Sequence, residues 1–397
     1  MRVSTNMIYD KGVGTIQQLW ASLLHAQQEV ATGRRVLTPA DDPIAASRAL
    51  DVTKSRVINA QYKTNLDTST DDLKLLENKL MGMGDILQYM RESALGAGDG
   101  ILTQNELGFI VTDMRNQFDS LLALSNTQDV SGNYLFSGYR ADVQPFQGAY
   151  GDVHYEGDQG MRTIQVSSSR FMPVSLPGSD VFDNTRTMAG AINTFGATGN
   201  SAGASIAVSF SSSPPALADT GHRYEINFDG TDYSVIEYQP GNPTPVPVLT
   251  APSGTTTLSF NGIDVDVSGF TTADDSFEVF VASKNIFTNL ALFIDTLEKP
   301  GSSGVISGVG FALNSIDNAL DTELRVRAQV GSQLVELEQL NNINTDMDIQ
   351  YADTLNRLEG CDYAEAISRL TQLQTNLQAS QLSFMRLSGL SLFNYLQ

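Results

Sequence analysis

Both ends of this chain carry helical apolar stripes with nothing beside them in sequence to pack against. Near the start, Ile16, Leu19, Trp20, Leu23, Leu24 and Val30 fall at helical spacing among Gln, Ser, His and Ala. At the end, Ile367, Leu370, Leu373, Leu377, Phe384, Leu387 and Leu390 repeat the pattern and run into Leu392 and Phe393. Each segment is one amphipathic helix with a face to bury. An isolated helix of this length is marginal in water, so its stability has to come from packing. The simplest partner for one end is the other end, beside copies of both from neighbouring molecules. The pattern points to an assembly protein.

Inward from the first helix, Gly33 supplies a stop and Pro39 blocks continuation. Asp42 then reads as an N-cap with Pro43 at the first helical position, opening a helix that runs to about Leu95. Tyr62, Leu66, Ser69, Leu73, Leu76, Leu80, Met83, Leu87, Met90 and Ala94 step by fours and threes along it, the seam of a coiled coil. A second helix is expected through Leu107, Ile110, Val111, Met114, Phe118, Leu121 and Leu122. Toward the other end, Ile316, Leu320, Leu324, Leu334, Leu337, Leu340, Ile343, Met347, Tyr351, Leu355 and Leu358 give a further long stripe.

The centre differs. Residues 141–283 are rich in Gly, Ser, Thr and Pro, with short alternating runs broken by Asp229-Gly230 and Asn261-Gly262, both strong hairpin signals. The expected fold is therefore α+β: a long antiparallel helical bundle or coiled coil formed by both chain ends, with an inserted, mainly antiparallel β domain. The expected division is 1–42 with 361–397 as a terminal coiled coil, 43–140 with 284–360 as a helical bundle, and 141–283 as the outer β domain. Its loop at 241–247 should be exposed.

At 397 residues the chain is long enough for two or three domains. Its formal charge of −21 argues against nucleic acid and anionic membrane surfaces as partners. No window approaches the ~20 apolar residues of a membrane-spanning helix. The first six residues hold no apolar core of a cleaved secretory signal. Cys361 is the only cysteine, so no internal disulfide is expected and a free thiol is. Charge is uneven: residues 1–40 are net +2 and 363–397 net +1, whereas 141–283 hold sixteen acidic residues against four Arg and no Lys. Near-neutral ends pack against copies of themselves with little repulsion, and an acidic centre suits a solvated exterior.

Nothing in the pattern carries catalysis. His25, His154 and His222 sit in three different sections, with no metal-ligand spacing and no nucleophile–His–Asp order. Asp264 and Asp266 share one face of an expected strand, which reads as the solvated face of an acidic domain rather than a calcium site. Gly96-Ala97-Gly98-Asp99-Gly100 lacks the Gly-Lys-Ser/Thr ending of a phosphate loop and reads as a turn between helices. No cofactor, no metal and no enzyme activity are expected.

The stretch Gln27-Gln28-Glu29-Val30-Ala31-Thr32-Gly33-Arg34-Arg35-Val36, followed by Ala40-Asp41-Asp42-Pro43-Ile44-Ala45-Ala46-Ser47, resembles the N-terminal signature of the bacterial flagellin superfamily. Asp362-Tyr363-Ala364-Glu365-Ala366-Ile367-Ser368-Arg369-Leu370 resembles its C-terminal counterpart. Residues 1–7, 132–139 and 384–395 look like the branch of that superfamily that joins hook to filament, as does, more weakly, 177–182. The resemblance implies an extracellular structural subunit of the bacterial flagellum, exported unfolded and assembled as a ring. Implied partners are hook-associated protein 1, flagellin, copies of the chain itself and a flagellar export chaperone that holds the C-terminal helix. It also implies that the terminal helices pair in an inner coiled-coil layer. The alternatives are a flagellin filament subunit and, from a different class, a ligand-binding module carried on the β insert.

Overall fold

The computed structural model describes residues 5–98, 102–183, 192–197, 199–211, 221–239, 244–298 and 305–393. Several of its helix starts fall where short polar side chains, among them Asp42, Thr103 and Asp362, accept backbone N–H groups. α1 spans Thr5–Thr32 and α2 spans Pro43–Ala97. Asp42 Oδ1 accepts the N–H of Ala45 at 3.0 Å, so the expected cap with proline at the first helical position is present. α3 (Gln104–Ser125) opens on a capping box, in which the Thr103 hydroxyl and the Glu106 carboxylate each accept the other residue's backbone N–H.

The chain forms two compact units, Met1–Thr64 with Gln339–Gln397, and Asn65–Glu338. In the larger one, Leu66, Leu73, Leu76, Leu80, Met83 and Leu87 of α2 are all buried. Leu107, Val111, Met114, Phe118 and Leu121 of α3 are buried in the same unit. The short strands β1 (Phe146–Gln147) and β2 (His154–Tyr155) pair, as do β3 (Thr163–Gln165) and β4 (Phe171–Pro173). A one-turn helix, α4 (Gly178–Phe182), follows. Two of the motifs singled out in sequence meet here: the N–H of Gly178 donates to the Phe136 carbonyl at 2.7 Å, and Phe136 packs edge-on against Phe182.

The β section holds two sheets. One has the order β5 (Ile192–Gly196), β12 (Ser276–Val281), β7 (Arg223–Phe228), β8 (Asp232–Tyr238), β9 (Val246–Pro252). The other has the order β10 (Thr257–Phe260), β11 (Ile263–Ser268), β6 (Ser205–Phe210). All pairings are antiparallel. Tyr224, Ile226, Val235 and Val279 from the first sheet and Leu258, Ile263 and Val265 from the second share one buried cluster. The alternating pattern thus becomes one face in the core and one in solvent. Asn261 and Gly262 both have positive φ, 47° and 81°, as a two-residue turn of the type with two left-handed centres requires. At the other hairpin the Asp229 carboxylate accepts the N–H groups of Thr231 and Asp232. The expected turn residues do close both hairpins. Residues 241–243 of the loop expected to be exposed lie outside the described residues.

Asp275 ties down the end of β12. Its buried carboxylate accepts hydrogen bonds from the backbone and hydroxyl of Ser201 and from the N–H groups of Thr271 and Thr272. Burial pushes its pKa up, but these donors outweigh it and bring the value from the usual 3.8 down to about 2. A carboxyl with a depressed folded pKa adds stability above its unfolded value and loses it as pH falls from 3.8 through about 2. An Asp275→Asn variant is expected to melt lower than the parent at pH 6, with the gap closing as both approach pH 2. A gap that stays constant across thermal melts from pH 6 to 2 would contradict this.

α5 (Ile286–Glu298) falls within the section 284–360 expected to be helical, although none of its residues was singled out. Ile286, Phe287, Leu290, Phe293, Ile294 and Leu297 are buried, and so are Thr288, Asn289 and Thr296. A helix buried on nearly every side is a core element. α6 (Val305–Glu359) and α7 (Tyr363–Phe393) complete the chain. The stripe read along α6 needs correction. Leu324, Ile343 and Met347 are exposed, whereas Glu323 and Asn344 are buried. The buried row runs through polar residues that have partners, Arg327 one turn along for Glu323 and Asn59 on α2 for Asn344, so apolarity alone chose the wrong face in those turns.

Candidate assembly surface

Within the smaller unit, α1 packs along α7. Leu23 (5% exposed) and Ala26 on α1 and Ala366 and Leu377 (6%) on α7 are buried. Tyr9 packs on Phe384 with ring centroids 5.0 Å apart, and Gly12 lies under the same ring. Of the remaining stripe positions, Ile16, Leu19, Val30, Leu370 and Leu373 are half-buried. Trp20 (47% exposed), Leu24 (52%) and Ile367 (50%) face outward. The side chains of Leu387, Leu390, Leu392 and Phe393 lie outside the described residues. Met7, Tyr9, Tyr363 and Leu382 are further exposed apolar groups on the same two helices that the stripe did not single out.

One charged residue is built into this pair. Glu29, buried on α1, reaches His25 one turn back at 3.1 Å and Arg369 of α7 at 3.4 Å. Arg369 also pairs with Glu365, and His25 with Asp41. The buried carboxylate is therefore paired, the condition under which a buried charge is tolerated.

The two signature motifs meet at the joint below this pair. α1 ends at Gly33, whose φ of +68° is left-handed, and the Gly33 carbonyl accepts the N–H of Cys361 at 3.0 Å. Arg35 N–H donates to the Glu359 carbonyl, and the Arg35 guanidinium reaches both the Leu358 carbonyl and Asp42. Arg34 and Gly360 form an antiparallel bridge. Asp41 Oδ2 accepts the N–H groups of Leu37 and Thr38 and the Thr38 hydroxyl, folding the loop between α1 and α2 onto itself. The Thr38 N–H, ahead of the other causes, holds the Asp41 carboxyl below its usual range, and the Ala45 N–H does the same for Asp42. On the other side Asp362 caps α7, accepting from Ala364 and Glu365. The signature residues are thus cap, turn and cross-chain hydrogen-bond groups. They serve to hold two chain ends together.

Among the described residues, no group of three His, Cys, Asp or Glu side chains stands close enough to hold a metal ion. His25, His154 and His222 each contact a different carboxylate in a different part of the chain. Asp264 and Asp266 lie on the face of β11 opposite the buried Ile263, Val265 and Val267, and Asp266 accepts the Thr257 hydroxyl. Among the described residues, no helix is long and apolar enough to cross a membrane.

Comparison with known proteins agrees with this geometry. The bacterial flagellin N-terminal helical region matches residues 3–141, and the D2-like domain of flagellar hook-associated protein 1 matches residues 195–280. The first match covers the N-terminal helices and the joint at Gly33, and the second covers the two sheets of the β insert. Over 399 aligned residues the chain is 25% identical to flagellar hook-associated protein 3 of Salmonella typhimurium and 26% identical to that of Escherichia coli, with 99% of both sequences covered in each case. The crystal structure of FlgL from Xanthomonas campestris shares the fold, with a TM-score of 0.54 at 23% identity over 77% of this chain and 99% of that one. The hook-associated protein 3 structure from Legionella pneumophila gives 0.53 at 25% identity over 78% and 98%. The resemblance read from the motifs holds: this chain is similar, end to end, to flagellar hook-associated protein 3.

Proposed function

We propose that the chain is a structural adaptor of the bacterial flagellum, not an enzyme, that joins the hook to the filament outside the cell. Its similarity to hook-associated protein 3 along 99% of both sequences is the observation that carries this reading. In this reading it is exported unfolded, held by a chaperone at its C-terminal helix, and assembled as a ring between hook-associated protein 1 and flagellin. The terminal helices, 1–42 and 361–397, form an inner layer, the flanking helices a bundle, and 141–283 the outer part.

The outward residues Trp20, Leu24 and Ile367 supply the apolar surface for neighbouring subunits, and Leu23 and Leu377 hold the chain's own pair together. A Leu24→Asp variant is expected to keep its helical circular dichroism and melting midpoint, because the new carboxylate stays in water. Incorporation onto isolated hooks that carry hook-associated protein 1 is expected to fall more than tenfold. Burying an unpaired charge in a packed layer costs several kcal/mol. Incorporation at the parent level would contradict the assignment. Purified parent protein is expected to stay unpolymerised alone; long filaments grown from it by itself would favour a filament subunit instead.

A further inference from the structure

We propose that the buried pair Asn59–Asn344 is a register lock for the α2–α6 seam. On α2, residues spaced by seven form one row: Val52, Asn59, Leu66, Leu73, Leu80 and Leu87. On α6 the matching row is Val330, Leu337, Asn344, Tyr351 and Leu358. A strictly seven-residue row looks the same after a shift of one repeat, so Leu-on-Leu packing leaves alignments one heptad apart nearly equivalent. The two asparagines break that equivalence.

Both side chains are buried and satisfied only by each other. Asn59 Nδ2 donates to the Asn344 carbonyl at 2.9 Å. Asn344 Nδ2 reaches the Asn59 carbonyl and Oδ1, both at 2.9 Å. A shift of one heptad would set Asn59 against Leu337 or Tyr351, and Asn344 against Leu66 or Val52. Main-chain carbonyls recur at every position, but each of those arrangements loses the one bond between the two side chains, Asn344 Nδ2 to Asn59 Oδ1, and leaves that buried Oδ1 against an apolar group, a desolvation loss with no return. Flanking polar contacts agree with the observed alignment: Arg56 forks onto Asp348 at 2.9 and 3.3 Å, and Lys63 reaches Asn341 at 3.0 Å. These flanking groups are exposed and contribute little by themselves. Glu323, the other buried polar residue in the α6 row, pairs with Arg327 one turn along its own helix and so selects no alignment. The lock therefore trades seam strength for a single register.

The full chain carrying Cys361→Ser, with spin labels at Lys54→Cys and Asp353→Cys, provides the test. With both asparagines present, pulsed electron resonance on refolded protein is expected to give one label-to-label distance. With Asn59→Leu and Asn344→Leu together, a second population is expected, displaced along the helix axis by about 10 Å, seven residues at 1.5 Å each. Thermal melts complete the cycle. Asn344→Leu alone is expected to lower the midpoint by stranding Asn59, and the double variant to melt at or above the parent. A single unchanged distance in the double variant overturns the proposal. So does a double variant that melts below the single one or fails to fold, because a lock that weakens its seam predicts an apolar pair at least as stable.

Discussion

A Leu80→Asp variant is expected to lose the folded helical core of the larger unit. Leu80 is fully buried, as are Leu76 and Met83 one turn to either side and Leu87 two turns on. Removing the leucine side chain alone typically costs about 2–5 kcal/mol. Placing an uncompensated carboxylate there adds several more kcal/mol unless the group protonates. Together these approach the roughly 5–15 kcal/mol that holds a typical domain folded. Urea titration followed by near-ultraviolet circular dichroism is the measurement, with the cooperative transition expected to vanish. A midpoint within experimental error of the parent would show that α2 does not bury this stripe.

The second large effect is expected at Gly33, and its origin is conformational rather than hydrophobic. Its φ of +68° lies where a β-branched residue is strongly disfavoured, and a Cβ there would sit 2.6 Å from the Tyr363 hydroxyl. Tyr363 is exposed and its ring can swing aside, so the clash is relieved more easily than the backbone strain. Gly33→Val is expected to cost on the order of 1–3 kcal/mol at the joint and to release the Cys361-to-Gly33 hydrogen bond. Limited proteolysis should then cut within 33–42 many times faster than in the parent. Asn tolerates left-handed backbone, so Gly33→Asn should cut at an intermediate rate. Adding Tyr363→Ala to Gly33→Val should not restore resistance. Full rescue by Tyr363→Ala would place the effect in the clash instead of in φ.

How far the chain was legible differs from element to element, and the physical reasons are specific. The α2 seam was readable because the stripe from Tyr62 to Ala94 steps by threes and fours, and such steps can share only one helical face. The Asn261-Gly262 hairpin was readable because two successive positive φ angles leave few residue choices. The starts at Asp42 and Pro43 were readable from cap chemistry. α5 was legible only as part of the helical section 284–360, and the burial of its polar Thr288, Asn289 and Thr296 was not, because that depends on what packs around it. Along α6 the stripe placed Ile343 and Met347 inward, yet Asn344 is the buried neighbour. A polar residue pays for burial only through a partner, and its partner Asn59 lies 285 residues away in sequence. Glu29 hides in the same way, its burial resting on Arg369.

The candidate surface divides along the same line. Sequence marked Ile16 through Val30 and Ile367 through Phe384 as apolar positions on two helices, and the motifs beside Gly33 and Asp362 marked them as a flagellin-like pair. It could not say which of those residues meet their own chain. That depends on how α1 and α7 are rotated against each other, which is set by Glu29–Arg369, by Tyr9 on Phe384 and by the joint at Gly33 and Cys361.

Local periodicity, turn chemistry and caps are properties of residues near one another in the chain, and they determined the elements, the α+β class and the family resemblance. Facing and register, and the identity of the buried polar groups, depend on contacts between segments hundreds of residues apart. Those were decided only when the helices packed, because Asn59 and Glu29 could be buried at little cost only where Asn344 and Arg369 came to share their hydrogen bonds.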